Sequence, residues 1–226
     1  TALNDSFHMT FQYIIDNIKD ERAMNIIHCV LNLFTRVVSF EPSFITPLLV
    51  ISSSILSDLM TILVNLPANF KSIRVMEIGL MLLSALHSCS NFNYEAVPFA
   101  AIGESIERLG VTKDFLLLIY QIIFSGWSKS TLATSTTTSS SLSIYLTDKS
   151  TTIAVPEAIP LLLISVRNTE HYLDVLNRLI ELCKDSVCNC CSCLMVNVPT
   201  IVFENTKLSS EKDVTLALRL FYEISK

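Results

Sequence analysis

Apolar side chains return along most of this chain with the 3.6-residue period of an α-helix, and residues 72–89 (SIRVMEIGLMLLSALHSC) carry the densest case. Ile73, Val75, Met76, Ile78, Leu80, Met81, Leu82, Leu83 and Leu86 point in nearly every direction of the turn. Only a narrow strip through Arg74, Glu77, Ser84 and Ser88 is polar. Such a helix has to be covered on most sides, so its neighbours should be helices with one apolar face. Residues 6–19 meet that expectation with Phe7, Phe11, Ile14, Ile15 and Ile18, and with Asp5 or Ser6 as cap. Residues 21–40 repeat it with Ala23, Ile26, Ile27, Val30, Leu31, Phe34, Val37 and Val38. The break between these two helices is short, so they form an antiparallel hairpin or a sharp corner.

A third helix is expected over 46–66, capped by Thr46 with Pro47 in its first turn, striped by Leu48, Ile51, Ile55, Leu59, Ile62 and Leu63, and ended by Pro67. Residues 97–109 read as a helix with Pro98 in the first turn and Gly110 after the last. Thr112 caps a very apolar helix over 113–125, with Gly126 as its stop. The pattern returns at Pro156. Pro160 marks the start of a helix or a bend in one, and Thr169 caps a regular helix to Lys184 in which Asp174 and Arg178 form an i,i+4 pair. Residues 185–198 are apolar and cysteine-rich and are expected to stop at Pro199. Residues 200–203 read as extended. Ser210 and Asp213 open a last helix striped by Val214, Ala217, Leu218, Phe221 and Ile224.

Residues 128–152 break the periodicity: sixteen of the twenty-five are Ser or Thr. Such a stretch buries little and reads as an exposed inserted loop, with Leu142, Ile144 and Leu146 as a short alternating island. Ser139, Ser140 and Ser141 lie at its centre and are the candidate phosphorylation positions, since each phosphate would add about two negative charges.

The elements sum to about ten helices and no sheet, grouped as pairs over 6–40, 46–89, 97–126, 156–184 and 186–225. Most pairs run roughly 29 to 44 residues, the range of two-helix repeats. One pair cannot bury its own apolar faces, whereas stacked pairs share a continuous core. The expected fold is therefore all-α: a right-handed superhelical stack of antiparallel helix pairs, one solenoid domain over 1–226 with the inserted loop.

Residues 158–186 make this more specific. Ala158-Ile159-Pro160, the leucines Leu161 to Leu163, the polar turn at Arg167-Asn168 and the second helix through Leu176 to Leu182 resemble an armadillo repeat. The usual glycine before Ile-Pro is absent, and HEAT-type pairs suit the other segments equally, so both repeat classes stay open. With Pro-Glu-Ala-Ile-Pro at 156–160 and Leu-Arg-Leu-Phe at 218–221, the whole chain resembles the helical array of a very large BEACH-type trafficking protein. That resemblance implies a scaffold in vesicle or membrane traffic, with peripheral membrane association through a parent protein.

Composition narrows the function classes. Half of the 226 residues are apolar, 16% are charged, four are glycine, and the net charge is −5. Scarce glycine disfavours phosphate-binding loops, and the absence of a Lys/Arg cluster disfavours nucleic acid as partner. The uncharged runs 42–57 and 186–203 fall short of the ~20 predominantly apolar residues of a membrane span. The chain starts without an initiator Met or a signal peptide, which reads as a piece of a longer protein. Seven cysteines, an odd number, without an export signal point to a reducing compartment, the cytoplasm.

Cys188, Cys190, Cys191 and Cys193 form the sharpest chemical cluster. Cys190 and Cys193 have C-x-x-C spacing, as one half of a zinc site would. The second half is missing, and His171 is the only histidine nearby. On a helix these cysteines diverge, which favours buried free thiols over a metal site or a redox pair. His8, His28, His87 and His171 are expected on separate helices with no carboxylate or Cys at ligand spacing, and no nucleophile, base and oxyanion set is present. The expectation is a non-catalytic protein-interaction scaffold without cofactor. The alternative is a regulatory helical domain that binds a small GTPase or a membrane surface, as formin-like armadillo domains do.

Overall fold

A computed structural model describes residues 2–41, 43, 53–89, 92–124, 152–208 and 210–226. Among them are eleven α-helices, three 3-10 turns and no strand, one helix more than the periodicity suggested. The predicted start of the third helix at Thr46 and Pro47, the segment with Gly126 and Trp127, and the Ser/Thr-rich loop with Ser139, Ser140 and Ser141 lie outside the described residues. The chain divides into two compact units, Thr1–Gly110 and Val111–Lys226.

In the first unit, α1 spans Ala2–Asp16, α2 Glu21–Phe40, α3 Ser53–Val64, α4 Phe70–Ala85 and α5 Phe99–Leu109. α1 begins before the predicted Asp5 or Ser6 cap, because Asp5 serves better inside the first turn, facing the positive end of the helix dipole. α2 has the predicted bounds, and the Asp20 carboxylate accepts the Arg22 amide at 2.7 Å. α4 starts two residues earlier than expected. Asn69 Oδ1 accepts both the Ser72 amide and the Ser72 hydroxyl, at 2.9 and 3.1 Å, and so fixes the cap at position 69. Its end tightens into a 3-10 turn over Leu86–Ser88. Pro98 is the N-cap of α5 rather than part of its first turn. Gly110 closes α5 with a φ of 89°, a conformation that costs glycine little.

Alternate helices pack. The most extensive contact joins α2 to α4, α1 lies on α3, and α3 lies on α5. Lys71 in the first turn of α4 reaches Glu21 and Asn25 in the opening turns of α2, so these two helices run parallel. As its sequence requires, α4 is covered on most sides. Val75, Met76, Gly79, Leu80, Leu82, Leu83 and Leu86 are buried, and Phe70, Arg74, Met81 and Ser88 mark the one open strip. α5 ties down the end of α3. Ser105 donates its hydroxyl to Leu63 O at 3.0 Å, and Arg108 donates to Val64 O at 2.7 Å. These carbonyls sit in a last helical turn, where no intrahelical amide is left for them.

In the second unit, α6 spans Lys113–Ile123, α7 Ile159–Val166, α8 His171–Cys183, α9 Val187–Met195, α10 Val198–Asn205 and α11 Glu211–Ser225. Thr112 caps α6 as predicted, with its hydroxyl 3.1 Å from the Phe115 amide. A 3-10 turn over Pro156–Ala158 leads into α7, which places Pro160 in a first turn rather than at a bend. The extended segment expected at 200–203 is helical. Asn197 turns left-handed (φ 56°) and Pro199 enters the first turn of α10, where its missing N–H costs nothing, so Pro199 starts a helix instead of stopping one. Ser210 caps α11, accepting the Asp213 amide at 3.3 Å.

The stripe of α11 is rotated from the predicted one. Ala217, Leu220, Glu223 and Ile224 are inward, whereas Leu218 is 61% exposed. α11 packs on α9 and α10 as well as α8, with Leu220 fully buried and Leu218 turned outward. The most extensive contact of this unit joins α8 to α11, followed by α7 on α10 and α9 on α11.

Candidate functional site

The candidate cysteines lie on α9 and point in several directions. Cys188 and Cys191 are exposed, Cys190 is half-buried and Cys193 is fully buried. Cys193 Sγ instead meets Cys183 Sγ of α8, 3.7 Å away. The Cys190 thiol donates to Cys183 O at 3.2 Å. The contact with Cys193, and then burial, raise the Cys183 thiol far above the ordinary thiol range. Burial first, then the neighbouring Cys183, pushes Cys190 up to about 11. Without a bound cation, both sulfurs are thereby held as neutral thiols. Among the described residues no group of three or more His, Cys, Asp or Glu is placed to hold a metal ion.

The histidines are likewise not gathered. His8 Nδ1 lies 2.7 Å from Asp58 Oδ2, and this pair bridges α1 and α3 at the surface. The His87 ring lies tilted at 45° beside Tyr94, whose hydroxyl donates to Leu83 O at 2.9 Å. Burial is the main cause that pushes Tyr94 well above the usual phenol range.

A recess of about 230 Å³ lies between the opening turns of α2 and α4. α2 supplies Met24, Asn25 and His28, and α4 supplies Phe70, Lys71, Arg74 and Val75. The spacing explains the wall on each side: 24, 25 and 28, and 70, 71, 74 and 75, each cover one turn of one helix face. Met24 and Val75 form the buried floor. The Arg74 guanidinium lies over the ring of Phe70, 5.2 Å from its centroid, and Phe70 is itself 69% exposed. Lys71 pairs with Glu21 and keeps 42% of its side chain exposed. The helix ends beside the cleft are filled by their own caps, Asp20 and Asn69, so its positive character comes from side chains. Phe70 and Lys71 fall just before the helix that the periodicity predicts from Ser72. Asn69, a strong N-cap residue, was the available signal.

A second feature lies on the opposite flank of α2. Ile26, Val30, Leu33, Val37 and Phe40 follow one another at spacings of four and three, the two-heptad rhythm of a helix-to-helix seam. Their outward members Ile26, Leu33 and Phe40 are 37%, 54% and 88% exposed. α2 is also long and apolar enough to cross a membrane by length and composition. Its other face, through Ala23, Met24, Ile27, Leu31, Phe34 and Val38, is buried within the unit. The second unit exposes Val187, Met195, Phe203 and Leu208, and the i,i+4 pair Leu218 and Tyr222 on α11.

Compared with known proteins, the chain matches no family, no curated protein and no solved structure.

Proposed function

We propose that the chain is a non-catalytic protein-binding module built from repeated helix pairs, of the armadillo or HEAT kind. The observation that carries this reading is the apolar seam Ile26–Val30–Leu33–Val37–Phe40 on a helix whose opposite face is already packed. Apolar side chains aligned along the length of one helix face are costly in water unless a partner covers them. The helix pairing supports the repeat. In the first unit α1 lies on α3 and α2 on α4, and in the second α7 lies on α10 and α8 on α11, the first-on-first and second-on-second contacts of stacked helix pairs. The starts of α7 and α10, and of α8 and α11, are offset by about 40 residues, within the range of such repeats. A role in membrane traffic is what the BEACH-type resemblance adds, as scaffolding within a larger assembly.

The test is affinity isolation of the intact chain from cells, with quantitative comparison of the wild type and the Leu33→Glu, Phe40→Glu double variant. Both positions are exposed, so the variant should fold with an unchanged circular dichroism spectrum. The reading expects a defined set of proteins retained by the wild type and lost from the variant. Identical sets from the two would contradict it.

A membrane-surface role is the second reading, favoured by Arg22 and Arg36, exposed beside the same seam. Wild-type protein that sediments with anionic phosphatidylserine vesicles, and a double variant that does not, would select it.

A further inference from the structure

We infer that the cleft between α2 and α4 is a binding site for an acidic peptide segment, taking one apolar side chain together with the carboxylate beside it. The inference rests on the protein-binding reading and names the partner chemistry for one site.

The cleft combines two kinds of wall. Met24 and Val75 supply an apolar floor, and Phe70 stands exposed at the rim. The volume, about 230 Å³, suits one or two side chains and is small for a nucleotide. Above the floor sit Lys71 and Arg74, with Asn25 as a neutral donor and acceptor and His28 half-buried on the facing turn. The Glu21 carboxylate adjoins the cleft and pairs with Lys71. That leaves Arg74 as the cation a ligand would meet. Its contact with the Phe70 ring, 5.2 Å from the centroid, leaves its hydrogen-bond donors to a ligand. A planar, pre-oriented guanidinium favours a carboxylate bound through two parallel N–H···O contacts.

Charge decides between candidate occupants. The chain carries a net charge of −5, so an anionic ligand here has to be recognised by the local cations and not by the overall field. A membrane would meet too few cations here to be held, whereas a peptide can place a single carboxylate at Arg74 and seat its neighbouring Leu or Phe on the Met24–Val75 floor.

Two fluorescein-labelled ten-residue peptides serve as probes, one alternating Glu with Leu and Phe, the other with each Glu replaced by Gln. Titrated by anisotropy against the intact chain, the acidic peptide should bind in the micromolar range, and the Gln peptide about 10-fold more weakly, the scale of one lost charge-assisted pair. Arg74→Glu should weaken the acidic peptide by at least about 10-fold with an unchanged melting temperature. Arg74→Lys should recover part of the loss, since it restores charge without the planar fork. Equal affinity for the two peptides, no binding of either, or wild-type affinity in Arg74→Glu would overturn the assignment. So would binding of anionic phosphatidylserine vesicles through Arg74 in place of the peptide. The affinity isolation with seam variants reads a different face of α2, so loss of the cleft assignment leaves the protein-binding reading to stand or fall by that result.

Discussion

Leu63 occupies the space that a β-carbon on Gly79 would need. Its Cδ2 and Cδ1 lie 2.7 and 2.9 Å from that position, and both residues are buried where α3 meets α4. Glycine in mid-helix costs about 1 kcal/mol relative to alanine, so the close approach is what keeps it there.

This contact predicts a reversal of sign. Gly79→Ala gains helix propensity but forces the Leu63 side chain aside in a filled core, at about 1–3 kcal/mol. A net loss of roughly 1 kcal/mol is expected. Leu63→Ala alone should cost about 2–5 kcal/mol. In the Leu63→Ala background the obstruction is gone, and Gly79→Ala should become stabilising by roughly 0.5–1 kcal/mol. Urea unfolding of the four proteins measures the cycle, and additive effects would show that the two residues do not share the space.

Asn189 predicts a second large loss. Its side chain is buried at 2% exposure, accepts the Ile153 amide at 3.0 Å and donates to Leu182 O at 2.9 Å. It thereby joins the segment before α7 to the last turn of α8. Asn189→Ala strands a buried amide and a helix-end carbonyl together, at about 2–4 kcal/mol. Asn177→Ala, on the exposed side of α8, should stay within about 0.5 kcal/mol of wild type. A small effect at Asn189 in chemical denaturation would remove this joint from the account.

Thiol chemistry checks both units. Cys29, Cys188 and Cys191 are exposed and should be alkylated by N-ethylmaleimide in the native protein, whereas Cys89, Cys183 and Cys193 should react only on unfolding. Cys190, raised to about 11 mainly by burial, should react slowly at pH 8 and faster toward pH 11. A thiol whose folded value lies above its ordinary one keeps its proton longer in the native state than in the unfolded chain. Its contribution to stability is therefore full below about pH 9 and is lost as pH rises toward about 11. Peptide mapping that found Cys183 and Cys193 labelled as fast as Cys188 would contradict the buried pair.

Helical periodicity made the helices legible, and α2 fell at its predicted bounds. The cover around α4 could also be read, because a helix apolar in nearly every direction has few other places to go. Boundaries were less legible where one residue type serves two ends. Pro199 suits the position after a helix and the first turn of the next, and only the left-handed turn at Asn197 decides between them. Leu218 and Leu220 look alike in sequence, and the packing of α9 and α10 on α11 selects which one is buried. The cleft was illegible for a different reason. It joins residues roughly 46 to 50 positions apart through the parallel packing of α2 and α4, and no local pattern records that.

The most direct test of the protein-binding account is hydrogen–deuterium exchange of the intact chain, free and saturated with a protein it retains. The account predicts slowed exchange in Glu21–Phe40, centred on Leu33. Protection confined to other helices, with Glu21–Phe40 exchanging as in the free chain, would contradict it.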